Sequence, residues 1–158
     1  MTDGGTTPRV RLAELGLELP EVAAPLAAYV PATRSGDLVF TAGQLPVRSG
    51  ELLHKGKVGA DVSSEDAVAC ARLCALNALA AVDSVLEGGV DAVRRVVKVV
   101  VFVASVPEFS GQPAVANGAS ELLGDVFGDA GRHARSAVGV SVLPLDAPVE
   151  VELVVEVG

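Results

Sequence analysis

The stretch that decides the fold is the end of the chain, Val149-Glu150-Val151-Glu152-Leu153-Val154-Val155-Glu156-Val157. Apolar residues fill every odd-numbered position, and successive side chains of a β-strand point to opposite faces of its sheet. One face of this strand is therefore apolar from end to end, while the other carries Glu150, Glu152 and Glu156. The pattern predicts a sheet that builds a core on one side and presents carboxylates on the other.

The preceding segments supply the other elements. β-branched residues dominate positions 94–105, which predicts a central buried strand. Nearer the N-terminus, two β-type runs flank a Ser-Gly-Asp turn and predict a hairpin over residues 29–43, with a brief strand at 51–53. Helical spacing follows a Ser-x-x-acid start at residue 63, and a second helix is predicted from Pro113 to Gly128.

These elements indicate the fold class. A further strand at 136–143 completes the order strand, strand, helix, strand, helix, strand, strand, which is typical of an α+β fold with two main helices on one face of a mixed sheet. A chain of 158 residues fits one domain. Residues 1–7 are small and polar and predict a disordered N-terminal tail, which leaves residues 8–158 as a single domain that opens with a short helix at 9–15.

Composition limits the partners. The formal net charge of −8 opposes attraction to phosphate backbones and anionic membranes, so we expect neither a nucleic-acid nor a membrane partner. No signal peptide or long apolar run is evident, and we expect a cytoplasmic protein.

Cys70 and Cys74 are expected to be small buried residues, and with His54 and His133 far apart in sequence no metal site is predicted. No phosphate-binding glycine motif follows a strand, so no nucleotide cofactor is predicted.

The face of the sheet opposite the helices must be covered by another chain or by water. Because half of the residues are hydrophobic, we favour a closed homo-oligomer whose sheets face one another around a symmetry axis. A monomer with a hydrated sheet face is the alternative.

Several separated blocks of the sequence resemble the RidA/YjgF family of small imine deaminases, which also carries the name endoribonuclease L-PSP. The likeness extends from about Pro20 onward. Its blocks are Tyr29-Val30, Thr41-Ala42-Gly43-Gln44-Leu45-Pro46, Asn77, Asn117, Ala134-Arg135-Ser136, Leu143-Pro144 and Val149-Glu150-Val151-Glu152. Gly56-Lys57-Val58-Gly59, Asn117-Gly118-Ala119-Ser120 and Gly131-Arg132-His133-Ala134-Arg135 are most similar to the subgroup called chorismate-mutase-like, a label that refers to fold.

The resemblance implies an assembly and an activity. The family fold is a chorismate-mutase-like mixed β-sheet with two main helices on its outer face, assembled as a homotrimer whose sheets face the central axis. Its members hydrolyse reactive 2-imino and 2-enamino acids, such as 2-aminoacrylate and 2-iminopropanoate, to 2-keto acids and ammonia. The reaction needs no cofactor and takes a small carboxylate as substrate.

The resemblance also assigns roles to individual residues. Arg135 matches the family arginine that binds the substrate carboxylate, and Glu150 matches the glutamate that positions water; these are the expected catalytic residues. Tyr29, Gly43 and Asn117 match substrate-binding positions. A guanidinium suits a carboxylate because its planar fork donates two parallel hydrogen bonds.

Two positions depart from the family pattern. Ala42 stands where the deaminases usually have Ser, and Ala137 stands where they often have Cys. These departures leave an alternative function open, non-catalytic binding of 2-keto acids by a regulatory trimer. Ribonuclease activity is a third possibility that the acidic charge disfavours. His133 is expected to bond a neighbouring subunit, and Arg132 to be a solvated loop charge.

Overall fold

The computed structural model describes residues 5–22 and 28–158. Within them the helices and strands are, in chain order, α1 Pro8–Glu14, β1 Ala32–Ser35, β2 Leu38–Thr41, β3 Val47–Arg48, β4 Glu51–Leu52, α2 Ser64–Ser84, β5 Val93–Ala104, α3 Gln112–Phe127, β6 Ala134–Val140 and β7 Val149–Val157. Five strands form one mixed sheet in the order β1-β2-β7-β5-β6, and β3 pairs with β4 in a separate hairpin. The predicted α+β class with a mixed sheet is confirmed.

The direction of the strands follows from their connections. β1 and β2 form the predicted hairpin, and β7 pairs antiparallel with both β2 and β5. β6 alone pairs parallel, with β5, because α3 crosses between them. β6 is therefore an edge strand of the sheet, and α3 lies close to it.

The helices cover one face of the sheet. α2 begins at its predicted cap, where the Ser63 hydroxyl accepts a hydrogen bond from the Asp66 amide at 3.1 Å. α2 and α3 pack against each other and bury the odd-numbered residues of β7, the core-facing valines of β5 and many alanines. The large share of small residues suits this layer, since they let helix and sheet approach closely.

The two cysteines belong to this core. Both lie on α2, are free and are buried, as predicted. Burial raises the pKa of the Cys70 thiol to about 11, and burial also raises the pKa of the Cys74 thiol well above its ordinary value. By length and composition α2 could cross a membrane, but 67% of the relevant stretch is buried in the protein, and a core helix passes the same test.

Two boundaries differ from the predictions. β6 begins at Ala134 rather than at residue 136, because Ala134 and Arg135 continue the parallel ladder with Lys98 and Val99 of β5. The sequence predicted one brief strand at 51–53, whereas the structure has a hairpin of two short strands, β3 and β4. Of the predicted tail, residues 1–4 lie outside the described residues, whereas Thr7 caps α1 by accepting a hydrogen bond from the Val10 amide.

Candidate functional site

Arg135 lies on the edge strand β6, on the same face of the sheet as the helices. Its pairing partner Val99 is fully buried, and paired residues of neighbouring strands point to the same side. The guanidinium accordingly reaches α3. Nη1 donates to Asn117 Oδ1 at 2.8 Å and to Ser120 Oγ at 3.2 Å, and Nη2 donates to the carbonyl oxygen of Pro113 at 3.3 Å.

His133 bonds to Ser120, the same residue that accepts a hydrogen bond from Arg135. Its Nδ1 donates to the carbonyl oxygen of Gly131 at 2.6 Å, so in neutral histidine Nε2 is an acceptor and the Ser120 hydroxyl donates to it at 2.9 Å. The lone pairs of Ser120 are thereby directed to Arg135. The expected bond from His133 to a neighbouring subunit is replaced by bonds within the chain, because the turn before β6 brings the imidazole over α3. We call Arg135, Asn117, Ser120 and His133 the arginine half.

Glu150 lies on β7, opposite Phe102 of β5. Its carboxylate packs directly on Gly43: a Cβ at that position would be 1.9 Å from Glu150 Oε1. The contact arises because the chain gains one residue between two pairings, Phe40 with Val154 and Gln44 with Val151, which pushes the Gly43 backbone toward β7. Gly43 is therefore needed for the close approach of Glu150 itself.

The surroundings of Glu150 favour its protonated form. Burial raises the pKa of the Glu150 carboxyl above its ordinary value, and the like charge of Glu152 raises it further. Among the described residues, no side-chain hydrogen bond engages this carboxylate. A half-buried carboxyl with a raised pKa is better suited to exchanging protons than one with an ordinary pKa. We call Glu150 and Gly43 the glutamate half.

The other two glutamates of β7 have different surroundings. Glu152 and Glu156 share the face of Glu150, as the alternation predicts. Glu156 forms an ion pair with Arg95, whose Nε lies 3.1 Å from Oε2. Of the three carboxylates, Glu150 alone packs against the Gly43 backbone.

The two halves lie on opposite faces of the sheet. Val99 pairs with both Arg135 and Leu153 and faces the helices, whereas Phe102, three residues further along β5, pairs with Glu150 and faces away from them. A single chain therefore brings Arg135 together with Asn117, and Glu150 together with Gly43, but leaves these pairs apart. Within one chain the predicted site residues therefore form two separate groups.

The remaining predicted residues flank these halves. Tyr29 is 53% exposed and lies two residues before Pro31. The Pro31 carbonyl oxygen accepts a hydrogen bond from the Ala42 amide, so Tyr29 is at the Gly43 end of the hairpin. Ala137 follows Arg135 on the same face of β6 and packs on the core. Arg132 is 86% exposed and lies 3.7 Å from Asp129, in agreement with a solvated loop charge.

Sequence reasoning missed Ser120 and the backbone carbonyl of Pro113. Ser120 follows Asn117 by three residues, a spacing that places both on one side of a helix, and this signal could have pointed to it. The Pro113 carbonyl carries no signal in the sequence. Across residues 5–22 and 28–158, no group of three or more His, Cys, Asp or Glu side chains could hold a metal ion.

Known proteins share this fold and sequence. Residues 9–157 match the family model described as "YjgF/chorismate mutase-like, putative endoribonuclease". The chain is 46% identical to Protein TCP17 of Trypanosoma cruzi over 148 residues, which cover 93% of this chain and 92% of that protein. It is 48% identical to the crystal structure of Atu1372, a protein of unknown function from Agrobacterium tumefaciens, with a TM-score of 0.89 and coverage of 96% and 92%. A crystal structure from Shewanella oneidensis MR-1, also called a putative endoribonuclease, is 36% identical, with a TM-score of 0.92 and coverage of 96% and 100%.

Proposed function

This chain belongs to the YjgF/chorismate mutase-like family, and we propose that it hydrolyses reactive 2-imino and 2-enamino acids to 2-keto acids and ammonia. The substrates in this proposal are small carboxylates such as 2-aminoacrylate and 2-iminopropanoate. Arg135 binds the carboxylate and Glu150 positions and activates water. The protein itself supplies all the catalytic groups.

The observation that carries the proposal is the way in which hydrogen bonds use only some of the N–H donors of the Arg135 guanidinium. A guanidinium has five N–H donors, and three hydrogen bonds fix this one to Asn117, Ser120 and the Pro113 carbonyl. The Nε hydrogen and one Nη2 hydrogen remain for a ligand. The three partners are neutral, and no ion pair within residues 5–22 and 28–158 compensates the charge, so a bidentate carboxylate is a ligand that fits it.

Glu150 then serves the addition of water. As water attacks C2 of the protonated imine, the carboxylate accepts one of its protons, and a carbinolamine forms. Glu150 delivers that proton to the nitrogen and, ionised again, accepts the hydroxyl proton as the C=O bond forms and the C–N bond breaks. The released ammonia takes this proton from Glu150 and leaves as ammonium. In sum, one iminium acid and one water give one 2-keto acid and one ammonium ion. The raised pKa of Glu150 supports these transfers.

The two halves lie on opposite faces of the sheet of one chain, which supports a site formed between two chains. We propose a homotrimer with the sheets facing its axis, in which the arginine half of one chain meets the glutamate half of the next. The face of the sheet away from the helices carries Phe40 and Val138, 40% and 44% exposed, which contact with another chain would cover. Native mass spectrometry should find three chains of 16.0 kDa, and a monomer would contradict this assembly.

The activity can be tested with 2-aminoacrylate generated by a serine dehydratase. Wild-type protein should accelerate its decay to pyruvate and ammonia, and Arg135→Ala should abolish the acceleration because the carboxylate loses its anchor. Arg132→Ala is the matched control, since the side chain of this arginine of the same segment is exposed and its ion pair is with Asp129, outside α3. Equal acceleration by wild type and Arg135→Ala would refute the proposed role.

A second candidate is a non-catalytic trimer that binds 2-keto acids. The observation that favours it is the pair Ala42 and Ala137, which supply neither the hydroxyl nor the thiol of the usual family pattern. Tight binding of pyruvate or 2-ketobutyrate without turnover of the imines would select this function. Cleavage of RNA, which the family description suggests, is disfavoured by the net charge of −8. The cytoplasmic location stays a prediction.

A further inference from the structure

Two motifs of the sequence meet at α3. Asn117-Gly118-Ala119-Ser120 lies within that helix, and Gly131-Arg132-His133-Ala134-Arg135 leads from the turn after it into β6. The proposed function uses Arg135 and Asn117 but gives no role to the glycines or to His133. The contacts of these unassigned residues connect the two motifs to each other and to the Arg135 guanidinium.

Both motifs contain a glycine that packs on the backbone of a helix. A Cβ on Gly118 would lie 2.1 Å from the carbonyl oxygen of Val68 in α2, and a Cβ on Gly131 would lie 2.4 Å from the carbonyl oxygen of Leu123 in α3. Neither glycine has a left-handed φ angle, so both serve close packing. Gly118 holds α3 against α2, and Gly131 holds the turn before β6 against α3.

The Gly131 carbonyl fixes the tautomer of His133. A carbonyl oxygen can only accept, so the imidazole Nδ1, 2.6 Å away, carries the hydrogen. In neutral histidine Nε2 then has a free lone pair, and Ser120 Oγ lies 2.9 Å from it. The opposite tautomer would place two acceptors against each other at Gly131.

This tautomer determines the orientation of the Ser120 hydroxyl, which has one hydrogen and two lone pairs. With the hydrogen donated to His133 Nε2, both lone pairs remain, and one accepts from Arg135 Nη1 at 3.2 Å. The bonds of the His133 ring go to Gly131 and Ser120, so its influence on Arg135 passes through the hydroxyl. The bond between His133 and Ser120 is partly buried, which reduces competition from water for the hydroxyl hydrogen.

We propose that His133 is a positioning residue for carboxylate binding. As the neutral tautomer with hydrogen on Nδ1 it orients the Ser120 hydroxyl, and the hydroxyl orients the Arg135 guanidinium. The inference rests on the proposed function, in which Arg135 binds the substrate carboxylate. A guanidinium that is already oriented loses less conformational entropy when the carboxylate binds. The affinity for substrate, rather than the rate of proton transfer, therefore depends on His133.

Two substitutions separate the two bonds of His133. In His133→Asn the amide can still donate to the Gly131 carbonyl, but it is one covalent bond too short to reach Ser120. In His133→Gln the amide oxygen lies as many bonds from Cβ as Nε2 does, so it can accept from Ser120. Calorimetric titration with pyruvate should give a Kd about threefold to fivefold higher for His133→Asn and near the wild-type value for His133→Gln. With 2-aminoacrylate as substrate, the same rise should appear in KM while kcat is nearly unchanged.

Combination with Ser120→Ala shows whether His133 acts through the hydroxyl. Ser120→Ala alone should raise the Kd for pyruvate about fivefold, and adding His133→Asn should raise it no further, because the hydroxyl that His133 orients is already absent. His54→Asn is the matched control: this other histidine lies 3.6 Å from Asp66, outside both halves of the site, and its variant should bind pyruvate as wild type does. An equal rise caused by His133→Asn in both backgrounds, or wild-type affinity in His133→Asn, would overturn the inference.

Failure of the proposed function gives a different result. If wild type neither binds pyruvate nor accelerates the decay of 2-aminoacrylate, the proposed function is wrong, and NMR relaxation of the arginine Nε–H groups then tests His133 without a ligand. The signal that is missing from Arg135→Ala reports the motion of this guanidinium. His133→Asn and Ser120→Ala should both lower its order parameter, and His133→Gln should preserve it. An unchanged order parameter in His133→Asn would overturn the inference.

Discussion

The arginine half and the glutamate half hold their charged side chains in different ways. Arg135 is held by three hydrogen bonds that its guanidinium donates to neutral partners. Glu150 is positioned by packing on Gly43, and burial with a like charge nearby raises its pKa. The first arrangement suits the proposed binding of an anion, and the second suits the proposed exchange of a proton.

This difference suggests why neither half is sufficient. A rigid cation without a base binds a carboxylate but cannot activate water, and a carboxylate without an anchor meets its substrate only by chance. The sheet separates the two within one chain. A second copy that joins them would make activity depend on assembly.

The largest expected effect is the loss of proton transfer in Glu150→Gln. The amide keeps the size of the side chain but cannot accept the proton of water, so kcat should fall roughly 10²- to 10⁴-fold. KM should change little, since Arg135 still binds the carboxylate. Steady-state kinetics with 2-aminoacrylate separates the two constants. A large rise in KM with unchanged kcat would mean that Glu150 binds substrate instead.

Gly43→Ala should disturb the glutamate half by geometry alone. The added methyl collides with Glu150 Oε1, and the displaced carboxylate should cost on the order of tenfold to a hundredfold in kcat. Gly124→Ala is the control, because a Cβ there has open space. Full activity in Gly43→Ala would show that the carboxylate position is not critical.

A smaller effect is expected from Ser120→Ala in the arginine half. The guanidinium loses one of its three bonds and its link to His133, a change of about 1 kcal/mol, so KM should rise about fivefold while kcat is nearly unchanged. Ser110→Ala, at an exposed position, should behave as wild type. If kcat falls while KM stays constant, Ser120 has a chemical role beyond positioning.

The smallest effect concerns the pH profile. Glu150 must be ionised to accept a proton from water, so activity should decline as the pH falls through its raised pKa. Removing the like charge in Glu152→Gln lowers that pKa, and the acid limb of kcat/KM should move to lower pH. Glu156→Gln, on the same face but paired with Arg95, should leave the limb in place. A shift in the opposite direction would contradict this account of Glu150.

Much of this architecture could be predicted from the sequence where local pattern and tertiary structure agree. The odd-numbered apolar positions of β7 and the Ser63 cap of α2 are such cases, and both are present. The start of β6 was missed because the Arg-His-Ala-Arg segment has no strand pattern and becomes a strand only through its ladder with β5.

The site required information that no local pattern contains. The motif position selects Glu150, but its contact with Gly43 depends on one extra residue between two strand pairings. The face of Arg135 depends on its register with Val99, and the role of Ser120 depends on how α3 lies over β6. The register between strands that are distant in sequence therefore determines how these side chains are placed, and local sequence patterns do not show it.

Mixing two inactive variants tests the composite site most directly. Arg135→Ala retains the glutamate half and Glu150→Gln retains the arginine half, so co-expression should create intact sites between unlike chains. With random assembly of equal amounts, about one site in four receives both functional halves, and about a quarter of wild-type activity should return. Mixed trimers, isolated through two different affinity tags, with no activity above that of either variant would contradict a site shared between chains.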